Sequence, residues 1–128
     1  MESYYVVDGD EYKIYSQGFK FLRNSAEPSE EAIWIDADIT DSEKMDAVKQ
    51  LIDLFDKYGM EQITKLSVSQ DDIISAVYAH RFEIDFGTML DMDYKIKMCK
   101  KVLEEKISLE EKGTIDATQG GEIVYKRQ

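Results

Sequence analysis

The chain is short of the residues that most often carry chemistry. Among its 128 residues there is one cysteine, one histidine, one proline and one tryptophan. A single cysteine permits no internal disulfide, and one Cys with one His excludes most zinc-type sites made by protein alone. Positive charge is also scarce: 16 Lys and Arg face 27 Asp and Glu, a formal net charge of −11. Phosphate backbones need a net basic face, so nucleic acid is excluded as the expected partner. No apolar run reaches the roughly 18 residues that span a bilayer, and Met1-Glu2-Ser3 does not open as a signal peptide. What is present is a core: 43% of residues are hydrophobic and 11% aromatic, which excludes a disordered tail. The length suits one domain, residues 1–128, with no internal boundary or low-complexity tract.

The N-terminal part has the period of strands. Tyr4-Tyr5-Val6-Val7 is followed by the turn Asp8-Gly9-Asp10, and Glu11 to Tyr15 alternates polar and apolar. Gln17-Gly18 breaks the pattern, Phe19 to Leu22 resumes it, and Asn24 to Glu31 is a polar loop around Pro28. Ile33-Trp34-Ile35 is a short apolar segment, either a further strand or an extended connection. The period then lengthens. Thr40-Asp41-Ser42-Glu43 has the form of a capping box, and Met45, Val48, Leu51, Ile52, Phe55 and Tyr58 share one helical face. Gly59 is placed for a left-handed C-terminal cap, which predicts a helix from Asp41 to Tyr58.

Three strands are predicted next, Gln62 to Val68, Asp72 to Tyr78 and Phe82 to Phe86, the last closed by Gly87, with His80-Arg81 as a hairpin turn. A second helix, Asp91 to Ile107, stacks Met92, Ile96, Cys99 and Leu103, with Lys95, Lys97, Lys100 and Lys101 on its solvated side. Two strands close the chain, Thr114 to Thr118 and Glu122 to Lys126, joined by Gln119-Gly120-Gly121. Short connections imply antiparallel pairing, so the expected class is α+β: a mostly antiparallel sheet with two amphipathic helices on one face.

Catalytic patterns are weak. Asp36-Ala37-Asp38 and Asp91-Met92-Asp93 resemble paired acids that hold a divalent cation, but Asp91 and Asp93 also suit a helix start. A calcium loop from Asp36 lacks its glycine and closing glutamate. His80 falls in a turn, no serine has a nucleophile-elbow context, and Cys99 falls in an apolar stripe. Gly120-Gly121 joins two strands and so lacks the helix N-terminus that phosphate binding uses. No enzymatic activity and no cofactor are therefore expected. The competing readings are a metal-dependent enzyme or extracytoplasmic ligand-binding domain using Asp36, Asp38 and Asp41, and a sensor with an aromatic pocket of Trp34 and tyrosines. The last strand, Glu122 to Arg127, is proline-free and terminal, and a terminal strand at a sheet edge can accept a partner strand.

Several segments carry a resemblance in order along nearly the whole chain. They are Val6-Val7-Asp8-Gly9, Lys65-Leu66-Ser67-Val68 with Ile73-Ile74, Ile84-Asp85-Phe86-Gly87, Tyr94-Lys95-Ile96 and Gly113-Thr114-Ile115-Asp116 before a closing hairpin. The chain resembles the extracytoplasmic β domain of the bacterial division family FtsQ, called DivIB in Gram-positive bacteria. It departs from the family at Pro28, followed by Ser29-Glu30-Glu31 where a hydrophobic residue and a nearby glycine are common, and at Ala117-Thr118, where some members carry leucine and arginine. The resemblance implies a non-catalytic divisome scaffold at the septum, on the extracytoplasmic face of the cell membrane. It implies a cytoplasmic tail, one membrane helix and a POTRA domain upstream of this domain in the full-length protein. It also implies binding of FtsB (DivIC) and FtsL through the last strand and the turn before it: Thr118, Gln119, Gly120, Gly121, Glu122, Ile123, Val124, Tyr125 and Lys126. Ile123 or Tyr125 is expected to fill a pocket on the partner.

Overall fold

Alternation and helical period set the elements of the computed structural model, which describes residues 1–106, 110–119 and 122–128. In chain order they are β1 (Glu2–Asp8), β2 (Glu11–Ser16), β3 (Phe21–Ser25), β4 (Ile33–Asp36), α1 (Ser42–Lys57), β5 (Ile63–Val68), β6 (Ile74–Tyr78), β7 (Phe82–Gly87), α2 (Met92–Lys106), β8 (Gly113–Gln119) and β9 (Glu122–Arg127). Among the described residues nine strands form one sheet in the order β3-β2-β1-β4-β5-β6-β7-β8-β9. The class is α+β, as the periods predict. The proposed end of the second helix at Ile107 and the Gly120-Gly121 turn lie outside the described residues.

The sheet is mixed. Five neighbouring pairs are antiparallel, and three are parallel: β1 with β4, β4 with β5, and β7 with β8. Short turns account only for the antiparallel pairs. A parallel neighbour needs a long return across the sheet, and α1 and α2 supply two of these returns. Both helices lie on the same face. Val48, Leu51 and Phe55 of α1 and Ile96, Cys99 and Leu103 of α2 join one core with Ile35, Leu66, Ile84, Phe86 and Ile115 of the strands. The rings of Phe55 and Phe86, centroids 6.2 Å apart, tie α1 to β7.

Several local expectations are corrected. The N-cap of α1 is Asp41, one residue later than the capping box implies; its carboxylate accepts from the amides of Glu43 and Lys44, at 3.0 and 3.3 Å. The Thr40 hydroxyl instead turns to Asp38 and donates to its Oδ1 at 2.6 Å. Strand β3 starts at Phe21, because Phe19 stands at φ 61° in the preceding turn. Lys95 is not solvated: it is 3% exposed, and its Nζ donates to the carbonyls of Phe86 and Thr88, at 2.9 and 3.1 Å. It thereby holds the start of α2 to the end of β7, where Gly87 turns the chain at φ 73°. On α2, Lys100 is also drawn in, to the carbonyl of Gly59 at 2.9 Å.

The β6–β7 turn is made by Ala79 and His80, with φ of 55° and 58°, rather than by His80-Arg81. Arg81 N donates to the Tyr78 carbonyl at 3.1 Å, closing a two-residue turn. Left-handed values at both central positions suit asparagine and glycine far better than alanine and histidine. Replacing Ala79-His80 by Asn-Gly is expected to raise unfolding free energy by about 1 kcal/mol in denaturant melts. In the same melts Leu51→Ala and Leu103→Ala, at the centres of the two buried helix faces, are each expected to cost about 2 to 5 kcal/mol.

Candidate functional site: the edge of strand β9

The last strand ends the sheet. Strand β9 pairs with β8 on one side, and no described strand lies on the other. The register gives the direction of its backbone groups. Gly113 stands opposite Arg127, Thr114 opposite Lys126 and Asp116 opposite Val124. Gln128 N donates to the Lys112 carbonyl at 2.9 Å, which makes that opposed pair a hydrogen-bonded one. Antiparallel pairs alternate, so Lys126 and Val124 also spend their amides and carbonyls on β8. Those of Arg127, Tyr125 and Ile123 point outward. The free edge is a row of three donor–acceptor residues at a spacing a partner strand can match.

The side chains alternate differently. Ile123 and Tyr125 are half-buried and pack against the core under α2, while Val124 lies on the opposite face and is 41% exposed. The Tyr125 hydroxyl donates to Glu111 Oε2 at 2.7 Å, its ring lies 6.4 Å from Phe82, and Lys106 Nζ stands 4.9 Å from the ring centroid. Gly113 leaves room for this ring, since a Cβ there would meet Tyr125 Cε1 at 2.5 Å. Ile123 and Tyr125 are thus anchors of the strand within its own domain. The side chains that β9 offers outward are Glu122, Val124 and Lys126.

Before β9, Thr118 N and Oγ1 donate to Asp116 Oδ1 at 2.9 and 2.7 Å, within an irregularity of β8 between Asp116 and Gln119. The Thr118 hydroxyl, and then its amide, hold the Asp116 carboxyl below the usual carboxylate range. Thr118 lies against Gly87, where a Cβ would stand 3.4 Å from its Cγ2. Gln119 and Glu122 are exposed at the two sides of the turn, and Gly120 and Gly121 lie outside the described residues. The direction of the edge amides needed the register to be seen; the burial of Tyr125 was signalled only by Gly113 across the ladder.

The other candidates are scattered. Asp36 pairs with Lys65 at 3.7 Å, Asp38 accepts from the Thr40 hydroxyl and amide, and Asp41 caps α1. Among the described residues no three His, Cys, Asp or Glu side chains are grouped closely enough to hold a metal ion. Trp34 stands on the face away from the helices, between the Tyr5 ring at 6.4 Å and Lys65 Nζ at 4.0 Å, in a cross-strand ladder rather than a pocket. His80 is exposed in its turn. No protein-family model matches the chain, and no curated protein gives a significant match.

Cys99 is buried in the core, and burial pushes its thiol up from 9.0 to about 12. The folded state therefore keeps a proton that the unfolded state releases around pH 9, and stability falls as pH rises through that range. Urea melts between pH 8 and 9, below the range where tyrosines of the unfolded chain ionise, are expected to lose up to about 0.7 kcal/mol per pH unit, and Cys99→Ala should flatten that slope. Ellman's reagent should find no reactive thiol until the chain unfolds.

Proposed function

We propose that this chain is the partner-binding β domain of an FtsQ/DivIB-like division protein. In that reading it is a non-catalytic scaffold that takes a strand from an FtsB/DivIC-like partner along β9 and, with an FtsL-like partner, links it to septum formation. The full-length protein would carry the domain on the extracytoplasmic face of the cell membrane through an upstream helix. The observation that carries the reading is the free edge of β9, with the outward backbone groups of Ile123, Tyr125 and Arg127 in register. The order of elements supports it as well: a glycine-ended strand, a helix bearing Lys95, and a closing hairpin occur in the order the resemblance requires.

Each part of the edge has its own task. Main-chain hydrogen bonds from the outward groups supply affinity, and Val124 offers an apolar contact on the open face. Lys126 and Arg127 attract acids on the partner and speed association more than they strengthen the complex. Thr118 and Gln119 frame the entry of the incoming strand.

A proline at Val124 breaks a bond to β8 and so tests the fold, whereas a proline at Ile123 or Arg127 removes an outward amide and leaves the internal ladder whole. Arg127→Pro is expected to weaken binding of the FtsB-like partner about tenfold in titration calorimetry, with unchanged circular dichroism; Ile123→Pro, which also removes a side chain packed against the core, should weaken it as much but at a cost in stability. Val124→Ser should weaken it about threefold to tenfold. Folded variants that bind as tightly as the parent would move the site elsewhere.

A further inference from the structure

Strand β9 is held to the domain by little. Its unbroken register with β8 covers Val124, Tyr125, Lys126 and Arg127, and of these four side chains Tyr125 alone is withdrawn from solvent. The strand has no second neighbour among the described residues, so whatever seats Tyr125 also seats the row of outward backbone groups. An edge that frays offers a partner less. The apparent dissociation constant rises as the fraction of molecules in the competent state falls.

Residues at the start of β8 and just before it seat that ring. The Tyr125 hydroxyl donates to Glu111 Oε2 at 2.7 Å. Burial, and then this bond, raise the hydroxyl above the ordinary tyrosine range, so it stays a donor at neutral pH. At Gly113 a Cβ would stand 2.5 Å from Tyr125 Cε1 and 2.8 Å from the Lys126 carbonyl oxygen. That position therefore admits no side chain while β9 is laid down. Glu111 is fixed by a different hairpin. Arg81 Nη1, beside the β6–β7 turn, donates to the Glu111 carbonyl at 3.5 Å, and Gly113 N donates to the Arg81 carbonyl at 3.2 Å.

We propose that the Tyr125–Glu111 bond, seated on Gly113, is a clasp that keeps β9 laid down as a pairing edge. Glu111 and Gly113 are then positioning residues for partner binding, although neither lies on the free edge. The proposal rests on strand addition at β9 and names what controls that site. The clasp joins β9 to the sheet through side chains, independently of the ladder to β8, and leaves the outward groups of Ile123, Tyr125 and Arg127 unobstructed. Pre-ordering of this kind strengthens a complex by removing an ordering cost that binding would otherwise meet.

Two measurements test the clasp. Hydrogen exchange of the free ¹⁵N-labelled chain, followed by NMR, reads how far β9 is laid down through the inward amides of Val124, Lys126 and Gln128. Calorimetric titration of the same proteins with the FtsB-like partner reads affinity. Tyr125→Phe and Glu111→Ala are each expected to cut protection of those three amides about fivefold, with the amides of Leu66 and Ile84 unchanged. The double variant should lose no more than either single one, because both remove the same bond. Glu111→Gln, which keeps an acceptor oxygen, should recover most of what Glu111→Ala loses. Gly113→Ala and Tyr125→Ala, which displace or remove the ring, should abolish protection of β9 and weaken the partner about tenfold or more. Unchanged protection in Tyr125→Phe and Glu111→Ala would overturn the proposal, as would Gly113→Ala losing protection yet binding like the parent. A parent chain that does not bind the partner overturns strand addition by that partner, and the exchange pattern then decides the clasp by itself.

Discussion

Parallel pairing is the constraint on which this molecule depends. Strands β4 and β5 run the same way, as do β7 and β8, and neither pair can form unless the chain crosses back over the sheet. The two crossings are α1 and α2, and both fall on one face. Their apolar stripes and the inward residues of the strands are therefore one core, with Leu51, Phe82, Phe86, Ile96 and Leu103 almost wholly enclosed. The opposite face receives no helix among the described residues and is organised by side-chain ladders instead. The Tyr12–Tyr5–Trp34–Lys65 stack runs across four neighbouring strands there.

The same constraint makes the chain a near repeat of one unit. A strand, a helix, a parallel strand and an antiparallel strand occur as β4-α1-β5-β6 and again as β7-α2-β8-β9. In each unit a lysine near the helix start is pulled out of water. Lys44 reaches Asp72 at 2.8 Å and the Gln70 carbonyl at 3.1 Å, and Lys95 reaches two carbonyls at the end of β7. The hydrogen bond to Asp72 holds the Lys44 ammonium above its ordinary range. These lysines act as pins between helix and sheet.

Much of this was legible in the amino-acid order, because the signals were local. Phe82-Glu83-Ile84-Asp85-Phe86 alternates and is a strand; Val48, Leu51 and Phe55 recur at helical steps and are buried. What escaped depends on neighbours distant in sequence. Nothing local in Ile33-Trp34-Ile35 tells that it pairs in parallel with both β1 and β5. Lys95 sits among exposed lysines, and only the carbonyls freed at the turn after β7 explain its burial. The β9 edge was visible as a terminal strand, but which of its residues face outward follows from the Gln128–Lys112 bond alone.

The sheet also has a second open end. Strand β3 lies at the opposite margin, with Phe21 and Leu22 about half exposed. A body with two free strand edges at opposite margins is, in principle, a bivalent monomer: head-to-tail joining of β3 to β9 closes no ring and would grow a filament. Two features of charge oppose such growth. The net charge of −11 makes every added copy repel the rest, and both margins carry cations, Arg23 on β3 and Lys126 with Arg127 on β9. Arg23 is held by Glu2, whereas Lys126 and Arg127 have no ion pair among the described residues. The two margins are therefore unequal: one is neutralised from within, and the other keeps its charge for whatever approaches.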